Sequence, residues 1–238
     1  MDVEFRKTGV VAASGTDINE NHAINSSLYY DGTDWGNVTY NGWDFTAKNG
    51  LPCIHKTGAL QSTYTLYPKT DFQSNGGFTP YNGLELTYSM DVLLENVVKG
   101  TTNYYLALYP QGETIDGTWR GATRVTNSGH FLGAASDNLN PDVLNGKGWT
   151  RVWVAYRWGD YAWANTNTRP YIYARDFTGD VYIRNFKVEY GIIGTPWVMN
   201  KYDVGFVGNS HGMIERSIVA PPLSIYEEHI EAVEFIEF

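Results

Sequence analysis

The chain has 238 residues, with 17 basic and 26 acidic side chains, a formal net charge of −9 and an aromatic fraction of 15%. That length buries a full core without disulfide or metal staples. An acidic balance with no basic stripe argues against nucleic acid as a partner, because phosphate neutralisation supplies most of that affinity. No apolar run reaches the length of about 18 residues that a membrane span needs, and Glu4, Arg6 and Lys7 stand where a signal peptide would be apolar. Membrane insertion and export by that route are therefore not expected. The single cysteine, Cys53, has no CxxC or paired-His context and is expected in or near the core.

Taken in chain order, residues 1–26 read as an N-terminal extension. Short runs rich in Tyr, Val, Thr and Trp follow, separated by Gly, Asn, Asp and Pro clusters. Expected strands are Asn37–Tyr40, Cys53–Lys56, Ser62–Leu66, Leu84–Leu93, Tyr104–Tyr109, Trp149–Arg157, Arg169–Ala174 and Val181–Tyr190. Turn-prone links such as Asn75-Gly76-Gly77, Asn82-Gly83 and Asn145 to Gly148 join them. The pattern predicts an all-β body over 27–202, an antiparallel β-sandwich of jelly-roll type. In the last strand Val181, Ile183, Asn185, Lys187 and Glu189 would share one face, and Tyr182, Arg184, Phe186, Val188 and Tyr190 the other. Neither face is purely apolar, so one borders a groove or solvent, or a bulge resets the register. From Asp203 the composition turns acidic, with only Arg216 to offset the carboxylates. Residues 203–238 are read either as a solvated acidic tail or as an amphipathic segment that docks on an assembly partner.

The run Gly148-Trp149-Thr-Arg-Val-Trp-Val-Ala155, then Arg169-Pro-Tyr-Ile-Tyr-Ala174, then Gly179-Asp-Val-Tyr-Ile-Arg-Asn-Phe-Lys-Val-Glu-Tyr-Gly191 and Thr195-Pro-Trp197 resembles the closing half of a carbohydrate-binding module. The modules in question are the galactose-binding-like β-sandwiches of phage tail and baseplate proteins, also appended to glycoside hydrolases. Arg184 stands where that family often has Asp, so no metal role is carried over. The resemblance implies a virion protein that binds host cell-surface polysaccharide, assembled in the host cytoplasm, with other virion subunits as partners through its termini. Further copies of the chain are candidate partners as well.

A pyranose presents an apolar C–H face and hydroxyl edges, so its receptor needs flat rings flanked by a few fixed donors and acceptors. The densest aromatic cluster holds Trp158, Tyr161 and Trp163, with Arg157, Asp160 and Asn165 to read hydroxyls. The competing reading places Trp158 or Trp163 in the sandwich, where large aromatics usually lie. A second cluster, Tyr30 and Trp35 beside Asp31 and Asp34, would line the other wall of a cleft, although its Asp-Gly and Asn-Gly pairs are turn chemistry and Trp43 reads as a core anchor. A third is the loop with Trp119 and Arg120, where arginine suits an anionic or phosphorylated sugar, or is simply solvated.

No catalytic context surrounds Glu85, Glu95, Glu113 or Glu189, and the five histidines lack metal-ligand spacing. A non-catalytic binder without cofactor or metal is therefore expected. The alternatives are a purely structural decoration or adaptor subunit and a glycan-degrading enzyme on the same scaffold.

Overall fold

A computed structural model describes residues 20–23, 35–36, 42–59, 63–70, 79–134, 136–198 and 200 of the chain, with 165–167 described by backbone alone. The expected strand at Asn37–Tyr40 lies outside these residues, as does 203–238. The remaining expected strands all form.

Two antiparallel sheets carry the body. One has the order β1 (Trp35–Gly36), β4 (Tyr64–Pro68), β10 (Trp163–Arg175), β6 (Tyr105–Thr114) and β7 (Trp119–Gly121). The other runs β2 (Asp44–Lys48), β3 (Leu51–Ala59), β11 (Phe177–Tyr190), β5 (Glu85–Lys99), β9 (Thr150–Arg157) and β8 (Thr123–Asn127). A short helix, α1 (Pro141–Leu144), begins where Asn140 caps it by accepting from the Asp142 amide. The architecture is a β-sandwich.

Strand alternation explains the core. From β5 come Leu86, Tyr88, Met90, Val92 and Leu94, from β9 Val152, Val154 and Tyr156, and from the facing sheet Leu66, Leu106, Leu108, Ile172 and Ala174, all buried. Each such apolar side chain contributes about 1.5–3 kcal/mol by leaving water. Trp43 and Cys53 are buried in this sandwich as well.

Strand β11 departs from strict alternation. Its register against β5 shifts between Arg184 and Lys187, and Asn185 adopts a left-handed conformation with φ 52°, which Asn tolerates better than most residues. The bulge brings Val181, Ile183, Phe186 and Val188 all into the core and turns Lys187 and Glu189 to the other side. Neither of the two strictly alternating faces forms.

Lys187 and Glu189 are nonetheless almost wholly buried, at 0% and 1% side-chain exposure, and pair at 3.1 Å. The segment after β11 covers them. Thr195 donates its amide to Glu189 Oε1 at 2.8 Å, and Lys187 donates to the Pro196 carbonyl at 3.1 Å. Charges taken from water need such complete pairing, which gives the sequence run from Lys187 to Glu189 and the later Thr195-Pro196 a common physical role.

Residues 20–23 complete the edge of β11 beyond the point where β3 stops pairing. Asn21 donates to the Phe186 carbonyl at 3.0 Å, the His22 amide donates to the Val188 carbonyl at 2.9 Å, and Asn200 donates to the Asn21 carbonyl at 2.5 Å. The two ends of the described body therefore meet on β11.

Candidate functional site

The outward face of the five-stranded sheet is where aromatic and charged side chains remain after the core is filled. In β6, Leu106, Leu108, Pro110, Gly112 and Thr114 are buried, while Tyr105, Tyr109, Gln111 and Glu113 on the alternate positions are half-buried. The pairing of β10 with β6 sets Tyr171 opposite Tyr109, Arg169 opposite Gln111 and Arg175 opposite Tyr105. Residues directly opposite in a sheet share a face. Tyr67 of β4 and Trp119 of β7 extend it to both sides, Trp119 being the register partner of Glu113.

The result is a continuous aromatic belt. Tyr67 meets Tyr171 edge-on at 5.2 Å between centroids, Tyr171 meets Tyr173 at 5.5 Å, Tyr173 meets Tyr105 at 5.1 Å, and Trp119 meets Tyr171 at 6.0 Å. Four neighbouring strands span about 14 Å at the usual strand spacing.

Arg169 organises the centre. Its guanidinium lies 4.9 Å from the Tyr67 ring and 5.2 Å from the Trp119 ring, and it donates to the Tyr171 hydroxyl at 2.9 Å. A planar, always-charged fork can stack and donate at once, which a lysine ammonium cannot. At the far end Arg175 lies 5.7 Å over Tyr105 and is held by Asn103, to whose Oδ1 it donates at 2.8 Å. Tyr173 donates to Gln111 Oε1 at 2.6 Å. The belt is thus preorganised by its own hydrogen bonds before any ligand arrives.

Burial pushes the phenols of Tyr105, Tyr109 and Tyr173 above the ordinary tyrosine value. The same cause raises Tyr171, partly offset by the hydrogen bond from Arg169. All four remain protonated at neutral pH; Tyr173, whose proton goes to Gln111, can still accept a hydrogen bond, and Tyr105 and Tyr109 can both donate and accept.

The chain makes room for one ring by omitting a side chain. A Cβ on Gly121 would overlap the Tyr109 ring, so glycine at this register position in β7 lets Tyr109 lean toward the sheet edge.

The residues singled out from the sequence fall into three groups. Trp158 is fully buried and Trp163 is 7% exposed, the two rings packing edge-on at 5.2 Å. Neither offers a free ring face, so their role as stacking platforms is corrected to core packing: the chain after β9 folds back over the end of the sandwich. Trp35 is likewise buried, at 5% exposure, edge-on to Phe186 at 5.8 Å.

The second group is exposed but lies apart from the belt. Tyr161 carries Arg120 over its ring at 4.9 Å, and the two line a small depression with Thr114, Asp116 and Ala162. Arg120 is opposite Gly112 in the register, which turns it away from Trp119. Arg157 is exposed and donates to Glu85 Oε1 at 2.9 Å, and Asp160 is exposed. Asn165 contributes backbone to β10, its side chain being outside the description, and Tyr30 lies outside the described residues.

Among the described residues of the sequence-derived set, only Trp119 joins the belt. The other members, Tyr67, Tyr105, Tyr109, Arg169, Tyr171 and Tyr173, sit in strands recognised from sequence but not as a site. Their signal was the alternation itself: Arg169, Tyr171, Tyr173 and Arg175 occupy every second position between Pro170, Ile172 and Ala174.

No family model matches the chain, and no curated protein sequence matches it. Solved structures similar to it include the tripod of the baseplate of bacteriophage Tuc2009, at 18% identity and TM-score 0.47, covering 82% of this chain and 65% of that one. They also include the CBM22-1 xylan-binding domain of Paenibacillus barcinonensis Xyn10C, at 13% identity and TM-score 0.42, covering 77% and 100%. A third is the C-terminal family 22 carbohydrate-binding module of Clostridium thermocellum Xyn10B, at 14% identity and TM-score 0.44, covering 75% and 99%. The chain spans just under two thirds of the length of the tripod chain. Both groups named by the sequence resemblance, phage baseplate proteins and carbohydrate-binding modules, are represented, while the sandwich itself is read from this chain's own sheets.

Proposed function

We propose that the protein is a non-catalytic saccharide-binding module of a phage particle, which engages host cell-wall polysaccharide through the aromatic belt on its five-stranded sheet. The observation that carries this reading is the belt itself: five tyrosines and a tryptophan on one outward face, braced by Arg169 and Arg175 and by fixed polar groups such as Gln111. The exposed Trp119 and the half-buried Tyr67, Tyr105, Tyr109 and Tyr173 are partly wet, rigid rings with few rotatable bonds that suit the C–H faces of successive sugar units, with the buried Tyr171, 8% exposed, as their support.

Glycoside hydrolysis uses a pair of carboxylates, and among the described strand residues of this face Glu113 is the sole carboxylate. Binding without turnover is the chemistry that fits. The test is a pull-down with purified host cell-wall polysaccharide, using wild type and the double substitution Trp119→Ala with Tyr173→Ala. Retention of wild type and at least about tenfold weaker retention of the double variant is expected for loss of two rings of the belt. Equal retention would remove the belt as the site, and release of reducing sugar would revive hydrolysis.

A structural role in assembly is the second reading, favoured by one observation. Asn21 and Asn200 are hydrogen-bonded together and Asn21 bonds to β11, so the two ends of the described body lie side by side on the sheet opposite the belt. Absence of any polysaccharide binding, with incorporation into particles lost on deleting 203–238, would favour this reading alone.

A further inference from the structure

The sequence run that resembles the closing half of a carbohydrate-binding module supplies none of its tryptophans to the belt. Six of its residues, Arg151, Trp153, Asn185, Thr195, Pro196 and Trp197, instead converge on the outward side of the six-stranded sheet, around a cleft of about 640 Å³. That volume lies within the range of small-ligand sites.

The floor of this cleft is a polar network fixed by three strands. Arg151 of β9 donates through Nη1 to Asp91 Oδ1 at 3.2 Å and to the Asn185 carbonyl at 2.5 Å, and through Nη2 to Ser89 Oγ at 2.6 Å. Asn185, turned outward by the left-handed bulge in β11, donates to Asp91 Oδ2 at 2.7 Å. Asp91 and Arg151 are about one-fifth exposed, at 20% and 22%. Each Asp91 oxygen keeps a further lone pair, and Asn185 Oδ1 accepts no hydrogen bond from the described residues.

The walls are apolar and flat. Trp153 rises from β9, with Gly194 packed so closely on it that a Cβ there would overlap the indole. Pro196 and Trp197 form the other side, held in place by the buried Lys187 and Glu189 pair through Thr195 and the Pro196 carbonyl. Ser128 and His130, hydrogen-bonded to each other at 3.0 Å, complete the rim.

Flat rings against a fixed array of donors and acceptors match a pyranose with its C–H face to the indole and its hydroxyls to the network. Charge narrows the choice. Arg151 is already compensated by Asp91, and Arg184, 3.7 Å from Asp91, lies over the Trp149 ring at 5.2 Å. An anionic ligand would have to compete with Asp91 for both guanidinium groups.

We propose that the cleft between Trp153 and the Thr195-Pro196-Trp197 segment is a second binding site, for a neutral saccharide, independent of the aromatic belt on the opposite sheet. Two sites on opposite outer faces make one chain bivalent toward a polysaccharide, raising retention through effective concentration without new contacts at either site.

The test uses the full chain with its tryptophan indole NMR signals assigned. It is titrated into the millimolar range separately with D-glucose, D-galactose, N-acetyl-D-glucosamine and L-rhamnose. At least one sugar is expected to shift the Trp153 and Trp197 signals saturably. The Trp153 shift is expected to disappear in Trp197→Ala and to need several-fold more sugar in His130→Ala, a rim substitution that leaves the closing segment intact. Trp119 reports the belt in the same spectra, so a silent Trp119 beside a responding Trp153 would break the belt reading and leave this one standing. The proposal is overturned if no sugar moves Trp153 or Trp197, or if the Trp153 shift survives both substitutions. It is equally overturned if deleting 203–238 produces the shift without sugar, because the occupant would then be the chain's own acidic segment.

Discussion

Two aromatic clusters in this molecule contrast sharply. The 156–163 cluster is dense along the chain, yet Tyr156, Trp158 and Trp163 are buried and only Tyr161 is well exposed. The belt is dispersed over residues 67 to 173, yet neighbouring rings lie about 5 to 6 Å apart on one outward face, where Tyr171 alone among them is buried. Local density of aromatics reports a packing demand, because a chain folding back over the end of a sandwich must fill that end. A surface site built on a sheet is assembled across strands, so its members recur at alternate positions in distant segments.

The largest effect that separates the clusters is on stability. Trp158→Ala is expected to cost about 3–5 kcal/mol, as for other buried large-to-small aromatic changes, measured by denaturant unfolding. The fraction that stays folded should hold polysaccharide as wild type does. Tyr173→Ala should do the reverse, weakening polysaccharide binding at least about tenfold while unfolding shifts far less than for Trp158→Ala.

Smaller effects sharpen the picture of the belt. Trp119→Ala removes an exposed ring and should change stability by no more than about 0.5 kcal/mol, while binding, read by the same isotherm, falls several-fold. Arg169→Lys keeps the charge but loses the planar fork between Tyr67 and Trp119, and a few-fold loss of binding with unchanged salt dependence is expected.

The smallest effect is with pH. The belt phenols are pushed above the ordinary value of about 10 by burial. Their neutral form is favoured in the folded state, so the stability they contribute is fully present below about pH 10 and falls as pH rises beyond it. Binding should accordingly stay level from about pH 6 to 9 and decline only on the alkaline side, followed by tyrosinate absorbance alongside the isotherm.

Much of the fold was legible because its strands obey simple alternation: Leu84 to Met90 alternates cleanly, and the runs at 104–109, 149–157 and 169–174 lie within or against the strands they predicted. Strand β11 was only half legible. Its alternation breaks at Asn185, and a bulge leaves no mark in the string beyond an Asn in an otherwise regular run. The short strands β2, β7 and β8 are not readable since none of their residues is buried, and without a buried face no hydrophobic period exists to find. Of the site, Trp119 was legible as an aromatic on a Gly-flanked loop. Tyr67, Tyr105 and Tyr171 were not, because which face of a strand is outward depends on the sheet it packs against, and Tyr and Ile read alike in a strand whose neighbours are unknown.

The most direct test of the central claim compares affinities for host cell-wall polysaccharide in one titration series: wild type, Trp119→Ala with Tyr173→Ala, and Tyr161→Ala. The belt account predicts that the double substitution weakens binding at least about tenfold and that Tyr161→Ala, on the exposed ring of the other cluster, leaves it unchanged. Binding abolished by Tyr161→Ala and retained in the double variant would contradict it.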